Sequence, residues 1–289
     1  MKKIAFCFLI IDRIHHEDLW FRYLSNVDKR KYTIYIHYKT EKRLKHFENY
    51  KLKECIETAW GEISLVHAQN LLLEEALKDP ENAHFIFVSG TCIPLSHFDY
   101  TYAYLKPKYS YFSNCPQEDC FPRSQHALSY IDKKYIHKSY QWCILNRKHA
   151  KIMVEDKDYL EWFKVCPDEH SYITKLHVLS LEQELVLTLN TKNVETTFTN
   201  WEGGYSSPKT YESISEEELN TLLKKKHLFG RKFNKECDFS KLYYKSPFDT
   251  FLIGTILLFL IILLSVLFVF FILYKVKTPV NLKLTNPEL

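Results

Sequence analysis

From Phe251 to Tyr274 the chain runs FLIGTILLFLIILLSVLFVFFILY, with no charged residue. A helix of that length rises roughly 36 Å at about 1.5 Å per residue, more than the roughly 30 Å hydrocarbon core of a bilayer. A core helix of a globular domain would need an amphipathic stripe, and this run is apolar on every side. The expectation is one C-terminal transmembrane helix over residues 251–274, followed by a short tail over 275–289. Tyr243, Tyr244, Phe248 and Tyr274 then read as interfacial aromatics. Lys235, Lys241 and Lys245 before the run balance Lys275, Lys277 and Lys283 after it, so charge does not decide orientation. The opening MKKIAFCFLII shares two lysines and an apolar run with a signal peptide. Its run is short, the polar IDRIHHED follows at once, and no small-residue cleavage site appears, so a first strand explains it better. Without an earlier signal, a helix ending 15 residues before the last residue would insert after synthesis. The expected placement is a single-pass membrane protein with its domain facing the cytosol, the Golgi or ER lumen being the alternative.

Residues 1–240 remain for a globular part, enough for a core of its own. The formal charge of +4 is too mild to imply nucleic acid. With 20 Tyr and 20 Phe the chain can fill a large core, and such rings also suit sugar-stacking clefts. The eight cysteines are irregularly placed, and Cys115 and Cys120 are too far apart for a Cys-x2-Cys knuckle, so no zinc site is expected. Cys7, Cys92 and Cys143 sit in apolar runs and read as small buried hydrophobes. In a cytosolic domain all the cysteines would be reduced.

Lys3–Ile11 is a continuous apolar run of strand length. Around Glu17–Leu24 the spacing is helical, with Leu19, Trp20, Tyr23 and Leu24 on one side. Tyr32–Tyr38 reads as a second strand, and His84–Val88 as a third, ending in Ser89-Gly90-Thr91. Ser64 to Lys78 is the clearest helix, with Ser64 as a cap and Asp79-Pro80 as its stop. Alternating strands and helices predict an α/β domain with a largely parallel sheet. In such sheets the ligand crevice lies beyond the carboxyl ends of the strands, here His37–Thr40 and Ser89–Pro94.

Four segments offer chemistry. In Ala59-Trp60-Gly61-Glu62-Ile63-Ser64 a Gly beside a Trp precedes a helix start, where backbone can approach an anionic ligand; an ordinary strand-to-helix turn is an equal reading. In Cys166-Pro167-Asp168-Glu169-His170 three ionisable groups follow a Pro. Neighbouring acids and partial burial can raise one carboxylate's pKa, which makes a candidate general base; a helix N-cap cluster is the competing reading. Asp156-Lys157-Asp158 has the Asp-x-Asp spacing of metal-dependent nucleotide-sugar enzymes. It lies in a charged stretch rather than at a strand end, so Asp156 and Asp158 read as a solvated loop. No acid follows Val88, and no other hard-cation cluster stands out. Finally, Lys224-Lys225-Lys226 and Arg231-Lys232 form a basic cluster. It suits a diphosphate, an anionic lipid surface or plain solvent.

Together these stretches resemble the core-2/I-branching β-1,6-N-acetylglucosaminyltransferase family, especially its plant-type and viral-like branch. The matching segments are TAWGEISLVHAQNLLLEEAL, HFIFVSGTCIPL, SYQWCILNRKHA, CPDEH, TFTNWEGGYSSPKTY and HLFGRKF, in the family's order over roughly residues 1–235. The resemblance implies a GT-A-like nucleotide-sugar-binding domain and an inverting, metal-independent transfer from a UDP-sugar to a hydroxyl of a glycan acceptor. GlcNAc is the implied sugar. A related transferase using UDP-xylose or UDP-glucuronate, or a catalytically silent glycan-binding protein, is the alternative. By the same resemblance the catalytic base falls on Glu169 and the diphosphate-binding residue on Lys232, with Lys209 as a looser second cation. His37, Trp60 and Gly61 fall on the nucleotide-sugar side, and Trp201 falls on an acceptor-stacking position. No metal or other cofactor is implied, and the expected partners are a UDP-sugar, a glycan and the bilayer. Family members usually carry an N-terminal signal anchor; the expectation for this chain is a C-terminal anchor alone, without a long stem or most of the family's acceptor-side insertions.

Overall fold

The computed structural model describes residues 2–188, 193–202, 207–240, 242 and 258–269. The chain divides into two units, Met1–Tyr244 and Lys245–Leu289. In the first unit the elements run β1 (Lys3–Ile10), α1 (Glu17–Ser25), β2 (Tyr32–Tyr38), α2 (Ser64–Leu77), β3 (Asn82–Ser89), β4 (Ile93–Pro94) and α3 (Phe98–Tyr104). Then come β5 (Ser110–Phe112), α4 (Phe121–Ser124), β6 (Ile144–Asn146), α5 (Arg147–Glu155), α6 (Pro167–Val178), β7 (Leu185–Leu187), β8 (Thr197–Thr199), α7 (Glu216–Lys224) and β9 (Phe229–Arg231).

The first strand shows why the sheet is central. Its side chains alternate between two cores: Ala5, Cys7 and Leu9 enter one, while Ile4, Phe6, Phe8 and Ile10 enter the other. Phe85 and Phe87 of β3 join the first, and Ile86 and Val88 join the second. A strand apolar on both faces must be covered on both. Residues of α2, α5 and α6 cover one face, among them Leu72, Met153 and Ile173, and Trp20, Tyr23 and Phe98 of α1 and α3 cover the other. Trp20 is fully buried, donates its indole N–H to the Cys92 carbonyl at 2.9 Å, and stacks 5.8 Å from Phe229. Burying one such side chain contributes about 1.5–3 kcal/mol, so this aromatic group outweighs any single surface ion pair.

The larger sheet has the order β2-β1-β3-β6-β5-β7. Pairings of β1 with β2 and β3, and of β5 with β7, are parallel, whereas β6 runs antiparallel to both β3 and β5. The sheet is thus largely parallel, as expected above, with β6 as the one reversed strand among its described strands. Antiparallel neighbours are joined at one end, so the connection 113–143 between β5 and β6 leaves and returns at the carboxyl end of β3. The second sheet, β4-β9-β8, has β8 and β9 parallel. Gly90 makes the turn after β3 feasible, because a Cβ there would lie 2.3 Å from the Arg13 carbonyl oxygen.

Helix α2 departs from expectation at its start. Ser64 is its first helical residue rather than its cap, and its hydroxyl accepts the Ala59 N–H at 3.0 Å. Arg147 closes the other end, donating to the carbonyls of Leu77, Asp79 and Asn82 at 2.9 Å. Cys7, Cys92 and Cys143 are buried, as their surroundings predict.

The transmembrane expectation is overturned. No helix among the described residues is long and apolar enough to cross a membrane. Of the run 251–274, residues 258–269 are helical. Residues 251–257 and 270–274, the tail 275–289, and the aromatics Tyr243, Tyr244, Phe248 and Tyr274 lie outside the described residues. The fold class is thus a mixed α/β domain without a spanning helix among the described residues. The single-pass anchor, the bilayer as a partner and the cytosol-facing placement deduced from that anchor lose their support.

Asp156 and Asp158 lie in an exposed stretch, as expected, with about half of each side chain exposed, and they also pair with a buried cation. Both carboxylates accept from the ammonium of Lys175, whose side chain is buried in α6 beneath Trp162. A buried cation needs such partners, and removing them costs far more than replacing the cation itself. The double variant Asp156→Asn, Asp158→Asn is expected to lose about 3 kcal/mol in urea unfolding, and Lys175→Met less than about 1 kcal/mol. Equal losses would show that the two acids do not compensate a buried charge.

Candidate active site

A cavity of about 340 Å³ opens where the carboxyl ends of β8 and β9, the first turn of α6 and the 113–143 connection meet. The Pro at the start of α6 presets the first turn and leaves no amide unsatisfied there. That turn carries Asp168 and Glu169, where a helix dipole favours negative charge. Two backbone bonds fix the turn in place. Cys166 donates its N–H to the Gly61 carbonyl at 2.9 Å, and Ser139 donates to the Glu169 carbonyl at 2.8 Å. Gly61 has φ of +74°, a left-handed conformation that glycine adopts without strain. It thereby places the neighbouring Trp60, 77% exposed, at the cavity rim.

Cations surround the acids. One Glu169 oxygen accepts from Arg123 at 3.4 Å and lies 3.7 Å from the Lys138 ammonium. Arg231 and Lys232 reach the cavity from the end of β9. The Arg231 guanidinium packs 4.4 Å from the centre of the Trp142 ring, and its buried Nε has no hydrogen-bond partner among the described residues. Burial lowers the pKa of Arg231 and of Lys232 from their ordinary values. Asp168 shifts the opposite way. Burial first, and the neighbouring Glu169 charge second, push its carboxyl up to about 7. Its Oδ1 is buried without a partner among the described residues. Trp201 donates its indole N–H to Thr199 at 3.1 Å and lies 5.9 Å from Tyr140.

Of the residues singled out in the sequence, Glu169, Lys232, Trp60 and Trp201 line this one cavity, and Gly61 supports it through its backbone. His37 and Lys209 are not among its lining residues. His37 is fully buried, accepts the Ile56 N–H at 3.0 Å, and burial lowers its pKa to about 4. Lys209 places its ammonium 4.7 Å from the centre of the Tyr211 ring. The residues that the sequence reading missed are Arg123 and Lys138. Arg231 was signalled by its place beside Lys232. Arg123 and Lys138 sit in an aperiodic connection, where nothing local marks a lone cation as functional.

A mixed α/β domain whose cavity gathers carboxylates from α6, cations from the end of β9 and exposed tryptophans is consistent with a GT-A-like glycosyltransferase domain. The chain belongs to the Core-2/I-Branching enzyme family, whose model matches residues 4–223. Among curated proteins it is similar to Glycosyltransferase BC10 of Oryza sativa subsp. japonica, 29% identical over 219 residues, covering 63% of this chain and 55% of that protein. The chain thus spans about half the length of the curated relative it matches. Two solved structures are similar at 10% identity. One is the apo bifunctional glycosyltransferase WbbM, with a TM-score of 0.42 over 80% of this chain and 46% of that one. The other is a glycosyltransferase involved in glycosylation of the major capsid of PBCV-1, with a TM-score of 0.39 over 78% and 92%.

The Asp168 shift has a consequence for stability. Its folded carboxyl keeps a proton that the unfolded chain releases above about 4. The folded state therefore gains from this group at low pH and loses that gain as pH rises from about 4 through about 7. Wild type minus Asp168→Asn unfolding free energy should fall across pH 5 to 8. A difference independent of pH would place the Asp168 carboxyl in contact with water.

Proposed function

We propose that this chain is an inverting glycosyltransferase that moves GlcNAc from UDP-GlcNAc to a hydroxyl of a glycan acceptor, without a metal ion. Membership of the Core-2/I-Branching enzyme family supports the reaction class, and the similar rice protein is named a glycosyltransferase. The observation that supports the assignment of roles is that Glu169 and Lys232, well separated in sequence, line the same cavity, with Arg231 packed on Trp142.

In this mechanism the Glu169 carboxylate takes the proton of the acceptor hydroxyl as that oxygen attacks the anomeric carbon. The bond from that carbon to the UDP oxygen breaks on the opposite face, which inverts the configuration. UDP leaves with the bonding electron pair, and Lys232 and Arg231 stabilise the charge that builds on its phosphates. Charge stabilisation of this kind is strongest where water is excluded, and both cations are partly or fully desolvated. Trp201 offers an aromatic face to the acceptor ring. Arg123 and Lys138 hold the Glu169 side chain across the cavity.

The test is a panel of UDP-sugars with the full chain, with and without EDTA, beside two variants. UDP-GlcNAc should be turned over with EDTA present. Glu169→Gln should lower kcat about 10²–10⁴-fold, the usual worth of a general base. Lys232→Ala should lower it about 10²–10³-fold. Turnover by Glu169→Gln at the wild-type rate would remove Glu169 from its role. Loss of activity in EDTA would contradict the metal-free mechanism, and preference for UDP-xylose or UDP-glucuronate would reassign the donor.

A further inference from the structure

Beyond Trp201 lies a second cavity of about 510 Å³, and it shares Thr199 and Trp201 with the first. We infer that this second cleft binds the remote units of a neutral oligosaccharide acceptor whose reacting end sits in the first; this rests on the reading of the first cleft given above. Three observations carry the inference.

The first is size. Ligand cavities run from about 300 to 1,000 Å³, so the first cleft, at about 340 Å³, is small for a donor sugar and a chain of acceptor units together. A longer acceptor must leave across a wall, and the Trp201 wall has a second cleft behind it. The second is chemistry. Trp201 and Phe198 present ring surface, which suits the C–H faces of sugars, and Glu202 and Glu218 supply acceptors for hydroxyls. Of the cations only Lys225 lines this cleft, 5.8 Å from the Phe198 ring centre. With two carboxylates and one cation, nothing there draws an anionic ligand. The third is preorganisation. Asn200 is buried on the floor, donating to the Tyr211 hydroxyl at 2.8 Å and accepting the Glu202 N–H at 2.8 Å. Tyr211 stacks 5.1 Å from the buried Phe233. The far wall is α7, whose start is capped by Ser215 accepting the Glu218 N–H at 3.1 Å. A floor fixed in advance loses little freedom when a ligand arrives.

The experiment uses the full chain on an immobilised series of neutral oligosaccharides, one to six units of β-linked N-acetylglucosamine, xylose or galactose. UDP binding is measured in parallel by calorimetry. Thr221→Trp fills the second cleft from the exposed surface of α7, and Glu218→Gln removes one of its carboxylates. Wild-type retention of at least one series should rise about tenfold between two and four units, a gain of about 1.4 kcal/mol. Thr221→Trp should return four-unit binding to the two-unit level while leaving UDP binding and the melting temperature unchanged. Glu218→Gln should weaken four-unit binding several-fold with the same controls. Retention independent of chain length, or length dependence that survives Thr221→Trp, would overturn the subsite. So would preference for sulfated glycans or peptides that Thr221→Trp abolishes. Failure of the wild type to bind UDP would instead count against the reading of the first cleft, which separates the two failures.

Discussion

The candidate site depends on one reversal, that of β6 against β3. Because β6 runs antiparallel to β3 and to β5, the connection 113–143 begins and ends at the carboxyl end of the central strands. That connection brings Arg123, Lys138, Tyr140 and Trp142 to the cavity. The Ser139 bond to the Glu169 carbonyl then ties it to the first turn of α6. A parallel β6 would have carried this segment back along the sheet to the opposite end. The parallel pair β8 and β9 completes the arrangement, because parallel strands end on the same side and so deliver Trp201 and Lys232 together.

Within the cavity the charges are unequal in their surroundings. Glu169 has two cations at hand, while Asp168, one residue earlier on the same turn, has a buried oxygen without a partner among the described residues. Burial first and the Glu169 charge second raise the Asp168 carboxyl. Arg231 and Lys232 are lowered by burial, so each gains from an anion that enters the site. In the proposed mechanism that anion is the donor's diphosphate; Asp156 and Asp158 lie apart, paired with Lys175.

Much of this was legible from residues. The strands β1 to β3 announce themselves by continuous apolar or β-branched runs, and α2 by leucines and alanines at helical spacing. Their burial on both faces follows from the same runs. The strands β5, β6 and β7 are three residues each, too short for a period to show, so the reversal of β6 was not visible. Glu169, Lys232, Trp60 and Trp201 were found through motifs that resemble a family. Arg123 and Lys138 were not, because their role comes from the tertiary path of an irregular segment. The exposure of Asp156 and Asp158 followed from their charged stretch, but their pairing with Lys175 did not, because Lys175 lies on a different helix and its burial has no sign in sequence. The apolar run 251–274 satisfied every rule for a spanning helix, yet no described helix is long enough to span.

The central claim is that one cavity holds a nucleotide-sugar diphosphate on Arg231 and Lys232 and presents its sugar to Glu169. A crystal structure of the chain with UDP-GlcNAc or UDP, in the presence of EDTA, tests this most directly. The account predicts a phosphate oxygen within about 3 Å of the Lys232 ammonium, with the anomeric side of the donor facing Glu169. Nucleotide bound elsewhere, or bound here only when a divalent ion bridges its phosphates to protein carboxylates, would contradict it.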